Sequence, residues 1–283
     1  MKSLPVTQVP SSVRLRIQSL ASGSSGNAYI LQTDSAAVLI DCGIGSRELH
    51  RCLASWEMTP GDLNGVVLTH EHGDHVRSLG TVLSRQVPVY ATRGTADALG
   101  LAHDQYTRIV WNQTITIGSL AITPIQTSHD AAEPCGLMLQ SRGFSIALIT
   151  DLGVTTNSTL EYASTSDLLI IESNHCHQML QSGPYPAHLK RRVASNLGHL
   201  SNDQCADLIS GAISASSGPN HVWLAHLSAT NNSAQIASAA TLHRLASGRA
   251  QPIVNVLPRG RQGPIWIESL ARARQLRMAI DVG

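Results

Sequence analysis

GVVLTHEHGDHVRSLG (Gly65–Gly80) ends an apolar run and then sets three histidines and an aspartate within six residues: His70, His72, Asp74 and His75. Packing gives no reason for this crowd. Imidazoles repel one another when protonated and bury poorly when neutral. A cation in place of the protons makes the same crowd stable, because imidazole nitrogen and carboxylate oxygen suit zinc, manganese or iron. The segment GVVLT before His70 reads as a buried strand, so the donors begin where a strand gives way to a loop.

Three further apolar runs end in the same way. His129 follows in IQTSHDA, Asp151 in SIALITDLG and His226 in VWLAHLS. A side chain at the polar end of a buried strand can point into a shared cleft. The seven residues divide into His70, His72 and His129 for one ion and Asp74, His75 and His226 for a second, with Asp151 bridging. Two cations roughly 3.5–4 Å apart share a hydroxide and clamp the attacking and leaving oxygens of a displacement. The expected cofactors are therefore two divalent metal ions, Zn2+, Mn2+ or Fe2+.

The bulk numbers narrow the setting. The chain has 283 residues, 42% hydrophobic and 14% charged, with net charge +1. That is an ordinary globular composition without a basic field to advertise nucleic acid. Nearly all the positive charge is arginine; the lysines are Lys2 and Lys190. Five cysteines (Cys42, Cys52, Cys135, Cys176 and Cys205) form no CxxC pair, which argues for a reducing compartment and against a disulfide framework. The opening residues carry no apolar signal segment, and no run approaches the roughly 18 apolar residues of a membrane span. A cytoplasmic protein with no membrane partner is expected.

Strands dominate the first half. Val13–Leu20 alternates like a strand with one wet face, SGSSGN (22–27) is a turn, and AYILQT, AVLIDCG and GVVLTH are further strands. The segment SRELHRCLASW has helical spacing with Ser46 as N-cap. Later strands are PVYAT, TITIGSLAITPIQT, LMLQ, SIALITD, DLLIIESN, HVWLAHLS and PIVNVL. Helices are expected over Val76–Arg85, Gly94–Leu101, Asn202–Ser214, Ser233–Ser247 and Ile267–Ile280. Hairpins first and mixed elements afterwards predict an α/β (α+β) chain with two sheets and helices outside, in one domain over 1–283. There is no GxGxxG after a strand, no P-loop and no internal repeat.

HEHGDH (70–75), with His129, Asp151 and His226 downstream, resembles the metallo-β-lactamase superfamily, which implies a four-layer αββα sandwich with the site at one edge. In that family the aspartate corresponding to Asp74 contacts the second metal and helps orient or deprotonate its water. The segments LASGSSGNAYIL, LIDCG, TSHDA, ESNH…ML…G.YP..LK.R and GHLSN look like the YycJ/WalJ-type group, over Leu20–Asn232, which implies a DNA exonuclease acting 5′-to-3′. In that group an aspartate often follows ESNH; here Cys176 stands there, and a small buried residue is its expected role.

Residues beyond the ligands choose among lactam, thioester and phosphodiester chemistry. Glu172, Asn174 and His175 end one buried strand, and His199 precedes a helix that Ser201 or Asn202 could cap. A phosphodiester leaves a poor alkoxide that benefits from a proton donor, and a histidine held by a carboxylate works near neutral pH. The expected function is a dinuclear phosphodiesterase on nucleic acid, DNA ahead of RNA: a metal-bridging hydroxide attacks phosphorus, His199 is the general acid, and Glu172 is its partner. Asn174, His175, Asn202, Ser25 and Asn27, the last two in a turn with several backbone N–H groups, are expected at the substrate, with Lys190, Arg191 and Arg192 in LKRRVAS (189–195) on its backbone. The alternatives are a thioesterase of the glyoxalase II kind, which does not need Glu172 and His199, and a metal-loaded but silent nucleic-acid or signalling partner. Oligomeric state is left open.

Overall fold

The computed structural model describes residues 15–216, 218–246, 248 and 251–268. Strands β1 (Leu15–Ala21), β2 (Ala28–Thr33), β3 (Ala37–Ile40), β4 (Gly65–Val67), β5 (Val89–Ala91) and β6 (Thr107–Arg108) build a first sheet. Strands β7 (Ile115–Ile117), β8 (Leu120–Gln126), β9 (Cys135–Ser141), β10 (Phe144–Ile149), β11 (Leu168–Glu172), β12 (His221–Ala225) and β13 (Ile253–Val256) build a second, and β14 (Ile265–Ile267) returns to the first. The orders are β14-β1-β2-β3-β4-β5-β6 and β13-β12-β11-β10-β9-β8-β7. Antiparallel hairpins begin each sheet in chain order, and parallel pairing follows from β3 to β6 and from β10 to β13.

The inner faces meet in one apolar layer. Leu15, Ile17, Leu31, Val38 and Ile40 of the first sheet join Leu137, Leu139, Ile146, Leu148 and Trp223 of the second. The outer faces are as apolar as the inner ones, so both need cover. Helices α1 (Ser46–Ala54), α2 (Gly73–Val76), α3 (Leu79–Ser84) and α4 (Arg93–Ala98) lie on the side of the first sheet. On the second lie α5 (Asn157–Ser164) and, past the short α6 (His177–Ser182) and α7 (Ala187–Val193), α8 (Asn202–Ala215) and α9 (Ala234–Leu245). The four layers are the αββα sandwich expected from the sequence.

Several local expectations change. The wet face of β1 is covered: Trp56 Nε1 donates to Gln18 Oε1 at 2.7 Å, and the Arg16 guanidinium stacks 4.0 Å from the centre of the Trp56 ring. Val13 and Arg14 lie outside the described residues. Gly45, not Ser46, is the N-cap of α1. The single helix expected over Val76–Arg85 is two, because Ser78 turns aside to bond Cys42 O with both its N and its Oγ, at 2.9 Å each. Ile267 ends β14, and the helix expected after it falls outside the described residues from 269 onward. All five cysteines are free and buried. Among the described residues no helix is long and apolar enough to cross a membrane.

Close approach of two loops needs a glycine. A Cβ on Gly43 would sit 1.6 Å from Asp74 O, whereas one on Gly80, in α3, would meet nothing within 4 Å. Gly43→Ala should therefore destabilise the fold by about 3 kcal/mol or more, while Gly80→Ala should stabilise it by up to about 1 kcal/mol. Urea unfolding followed by circular dichroism checks both.

Candidate metal centre and its cleft

Four strand ends meet at one edge of the sandwich. β3 runs into Asp41, β4 into Thr69 and His70, β10 into Asp151 and β12 into His226. Asp41, Asp151 and His226 all adopt left-handed backbone, with φ of 55°, 56° and 53°. Non-glycine residues there cost about 1–3 kcal/mol each and persist only where the surroundings enforce them. The turn swings each side chain off its strand and into the common space. At His226 it is pinned on both sides: His226 N donates to Ser22 Oγ at 2.8 Å, and Asn174 Nδ2 donates to His226 O at 2.9 Å.

The structure brings all seven expected ligands together. Donor atoms of His70, His72 and His129 lie within 4.8 Å of one another, as do those of Asp74, His75 and His226, and those of His70, His75 and Asp151. His129 Nε2 faces His72 Nδ1 at 3.3 Å, and His75 Nε2 lies 3.4 Å from Asp151 Oδ2. His70 Nε2, Asp151 Oδ2 and His226 Nε2 are buried without a hydrogen-bond partner. Buried polar atoms are rarely left so. Orphaned lone pairs on three ligand atoms of one cluster fit divalent cations and nothing apolar.

Charge in the cluster is unbalanced without a cation. Burial, followed by the neighbouring imidazoles His75, His129, His72 and His226, pushes His70 well below its usual range. Burial also opposes protonation of His75, but Asp151, Asp41 and Asp74 outweigh it and take His75 up to about 9.

Behind the cluster, two carboxylates orient the rings. Asp41 Oδ2 accepts from His75 Nδ1 at 2.7 Å and from Thr69 Oγ1 at 2.8 Å, and its Oδ1 accepts from Thr69 N. Glu172 Oε1 accepts from His226 Nδ1 and from His199 Nδ1, each at 2.7 Å, while Oε2 accepts from Leu152 N and Leu200 N. With Nδ1 given to a carboxylate, the rings of His75 and His226 would offer Nε2 to a cation that displaces its proton, whereas His199, outside the expected ligand set, can keep a proton there. Burial lowers the pKa of His199, but the Glu172 charge and hydrogen bond outweigh that and raise it.

An open cleft of about 220 Å³ lies over the cluster. His72, Asp74, His129, Asp151, His199 and His226 form its floor, and Ser24, Asn174, Ser228 and the Tyr185–Val193 segment its sides. Other expected site residues lie elsewhere. Glu172 is fully buried and reaches the cleft only through His199 and His226. His175 is buried, its pKa pushed down to about 4 chiefly by desolvation. Asn202 belongs to a buried network: its Oδ1 accepts from Ser173 Oγ and Asn232 Nδ2, and Ser201 is the helix cap. Ser25 is exposed, and its neighbour Ser24 is the residue at the cleft. Asn27 is buried, with Nδ2 at 3.1 Å from Asp74 Oδ2 and 3.0 Å from His75 Nε2, so it steadies ligands instead of meeting substrate. Lys190 turns away and donates to Gln181 O at 2.6 Å. Cys176 is buried, as expected, and its thiol donates to Gln178 Oε1.

The sequence reading missed Asp41 and Ser228; it took Arg192 only as part of the basic run 190–192, and Tyr185 only as part of a motif with no role of its own. Asp41 carried the signal that marks Asp151, an acid straight after an apolar run. Tyr185 and Arg192 depend on how α7 docks.

A model of the β-lactamase superfamily domain matches residues 36–226. The chain belongs to the metallo-β-lactamase superfamily. It is 34% identical to exodeoxyribonuclease YycJ of Bacillus anthracis over 230 residues, 79% of this chain and 86% of that protein. It is 32% identical to exodeoxyribonuclease WalJ of Streptococcus pneumoniae over 245 residues, 83% of this chain and 90% of the relative. These matches place it in the YycJ/WalJ group and make it a metal-dependent hydrolase. The crystal structure of the metallo-β-lactamase fold protein YhfI from Bacillus subtilis superposes with a TM-score of 0.69 at 17% identity, covering 90% of this chain and all of that one. The likeness to YhfI shows the fold alone.

Loss of an orienting carboxylate should weaken the metal centre without unfolding it. Asp41→Asn should lower metal affinity about 10–100-fold, since His75 then loses its fixed tautomer. Competition against a chromogenic chelator, with circular dichroism as the control for folding, measures this.

Proposed function

We propose that this protein is a dinuclear phosphodiesterase that digests DNA from its ends, in the 5′-to-3′ direction. The observation that carries the reading is the single Glu172 oxygen that holds both His226 and His199 by Nδ1 at 2.7 Å. One ring belongs to the expected ligand set. The other lines the cleft beside it and stands outside that set of seven. A thioesterase has no need of that second ring. The relatives named exodeoxyribonuclease support the DNA substrate.

His70, His72 and His129 would hold one divalent cation and Asp74, His75 and His226 the other, with Asp151 between them. The cations supply Lewis-acid neutralisation of charge at the scissile phosphate. This chain's own residues do the rest. Asp41 and Glu172 fix the tautomers of His75 and His226. His199, raised in pKa by Glu172, keeps a proton at Nε2 near neutral pH and delivers it to the leaving oxygen. Asn27 holds the Asp74 carboxylate in place. A reducing, cytoplasmic setting accords with five free cysteines.

His199→Ala should lower turnover about 10²–10⁴-fold while metal content stays that of the wild type. End-labelled oligonucleotides with Mn2+ or Zn2+ give the readout. Labels at the 5′ end should appear at once as mononucleotide and 3′ labels last. A His199→Ala enzyme with full activity would remove the proposed acid, and early release of the 3′ label would reverse the polarity.

A further inference from the structure

One wall of the cleft is made by α7 and the residues before it. Tyr185, Leu189 and Val193 line it at four-residue spacing, with Arg192 beside them. Tyr185 stands between Pro184 and Pro186. Proline fixes its own φ and holds the residue before it extended, so the ring is presented on a stiff segment. Gly183 allows this segment to lie close to α6, since a Cβ there would be 2.5 Å from Met179 O.

Arg192 is the one Lys or Arg lining the cleft among the described residues. Its Nε donates to Asp130 Oδ2 at 2.5 Å, and Asp130 Oδ1 lies 3.4 Å from His129 Nε2. One carboxylate thus ties the guanidinium to the rim of the metal cluster. The side chain is 53% exposed, so its remaining N–H groups are open to the cleft. Such a fork suits the oxygens of a phosphate. The apolar strip and the aromatic ring beside it suit the face of any nucleobase.

We propose that this wall is a nucleotide subsite. Arg192, set in place by Asp130, takes the phosphate next to the scissile one, and Tyr185 with Leu189 and Val193 takes the base between the two. The subsite rests on the DNA reading above. It reads backbone charge and a π-face, and no base edge. Arg192 is a binding residue and Asp130 its positioning partner.

The test is steady-state digestion of a 5′-labelled single-stranded oligonucleotide by the metal-loaded full chain, beside bis(p-nitrophenyl) phosphate, a diester with no second phosphate. Arg192→Gln should raise KM for the oligonucleotide about tenfold, cut the ratio of oligonucleotide to diester efficiency as far, and reduce the slope of log KM against log salt by about 0.7. Tyr185→Ala should raise KM about tenfold, and Tyr185→Phe should restore it. Arg191→Gln, one residue along and exposed, removes the same charge from outside the cleft and should leave KM within about threefold of wild type. Wild-type KM and salt slope in Arg192→Gln, or an equal rise in Arg191→Gln, would overturn the subsite alone. A wild-type enzyme that hydrolyses the diester and no DNA would overturn the function and the subsite together.

Discussion

Two carboxylates out of reach of water, Asp41 and Glu172, hold three imidazoles by their Nδ1 atoms, and the site is arranged around that grip. A carboxylate buried without partners would cost several kcal/mol. Neither is left so. Asp41 takes three hydrogen bonds, two from Thr69 and one from His75, and Glu172 takes four, two from backbone N–H groups and two from imidazoles. With Nδ1 committed, the Nε2 atoms of His75 and His226 face a space that also receives Asp74 and Asp151. The residual problem, imidazoles that repel and lone pairs without donors, is one that divalent cations solve.

The sandwich makes that convergence affordable in strain. Parallel pairing from β3 to β5 and from β10 to β12 brings the carboxyl ends of these strands to one edge, the position at which α/β sheets present ligand sites. Both sheets are covered on both faces, so the strands cannot relax the left-handed turns at Asp41, Asp151 and His226 without disturbing a packed layer. Stability from the core thus maintains unfavourable backbone at the site.

The convergence of the seven expected ligands was legible because each stands at or just beyond the end of an apolar run, and the local sequence records where a buried strand meets solvent. Asp41 shows the same signal, but a set of seven already satisfied two ions. Residues that depend on docking were not legible. The basic run at 190–192 is plain in the sequence, yet which member faces the cleft is set by the angle at which α7 packs, and that favours Arg192 over Lys190. The break at Ser78 comes from a hydrogen bond to Cys42, 36 residues away. β6 and β14 are two and three residues long, too short for a period to show. His175 and Asn202 looked like substrate contacts because polar residues near a site do; Asn202 sits instead in a buried network with Ser173 and Asn232, and His175 is buried with its Nδ1 unpartnered.

The hydroxyl of Ser22 that receives His226 N does so across 204 positions, and Ser22 also bridges to Arg259. Closing so long a loop is an entropic expense met only after nearer contacts are in place. In chain order His226 is the last of the expected ligands, and its bond to Ser22 ties the end of β12 to the end of β1. Any ion that needs this histidine would therefore be fully gripped only once the two sheets have closed on each other.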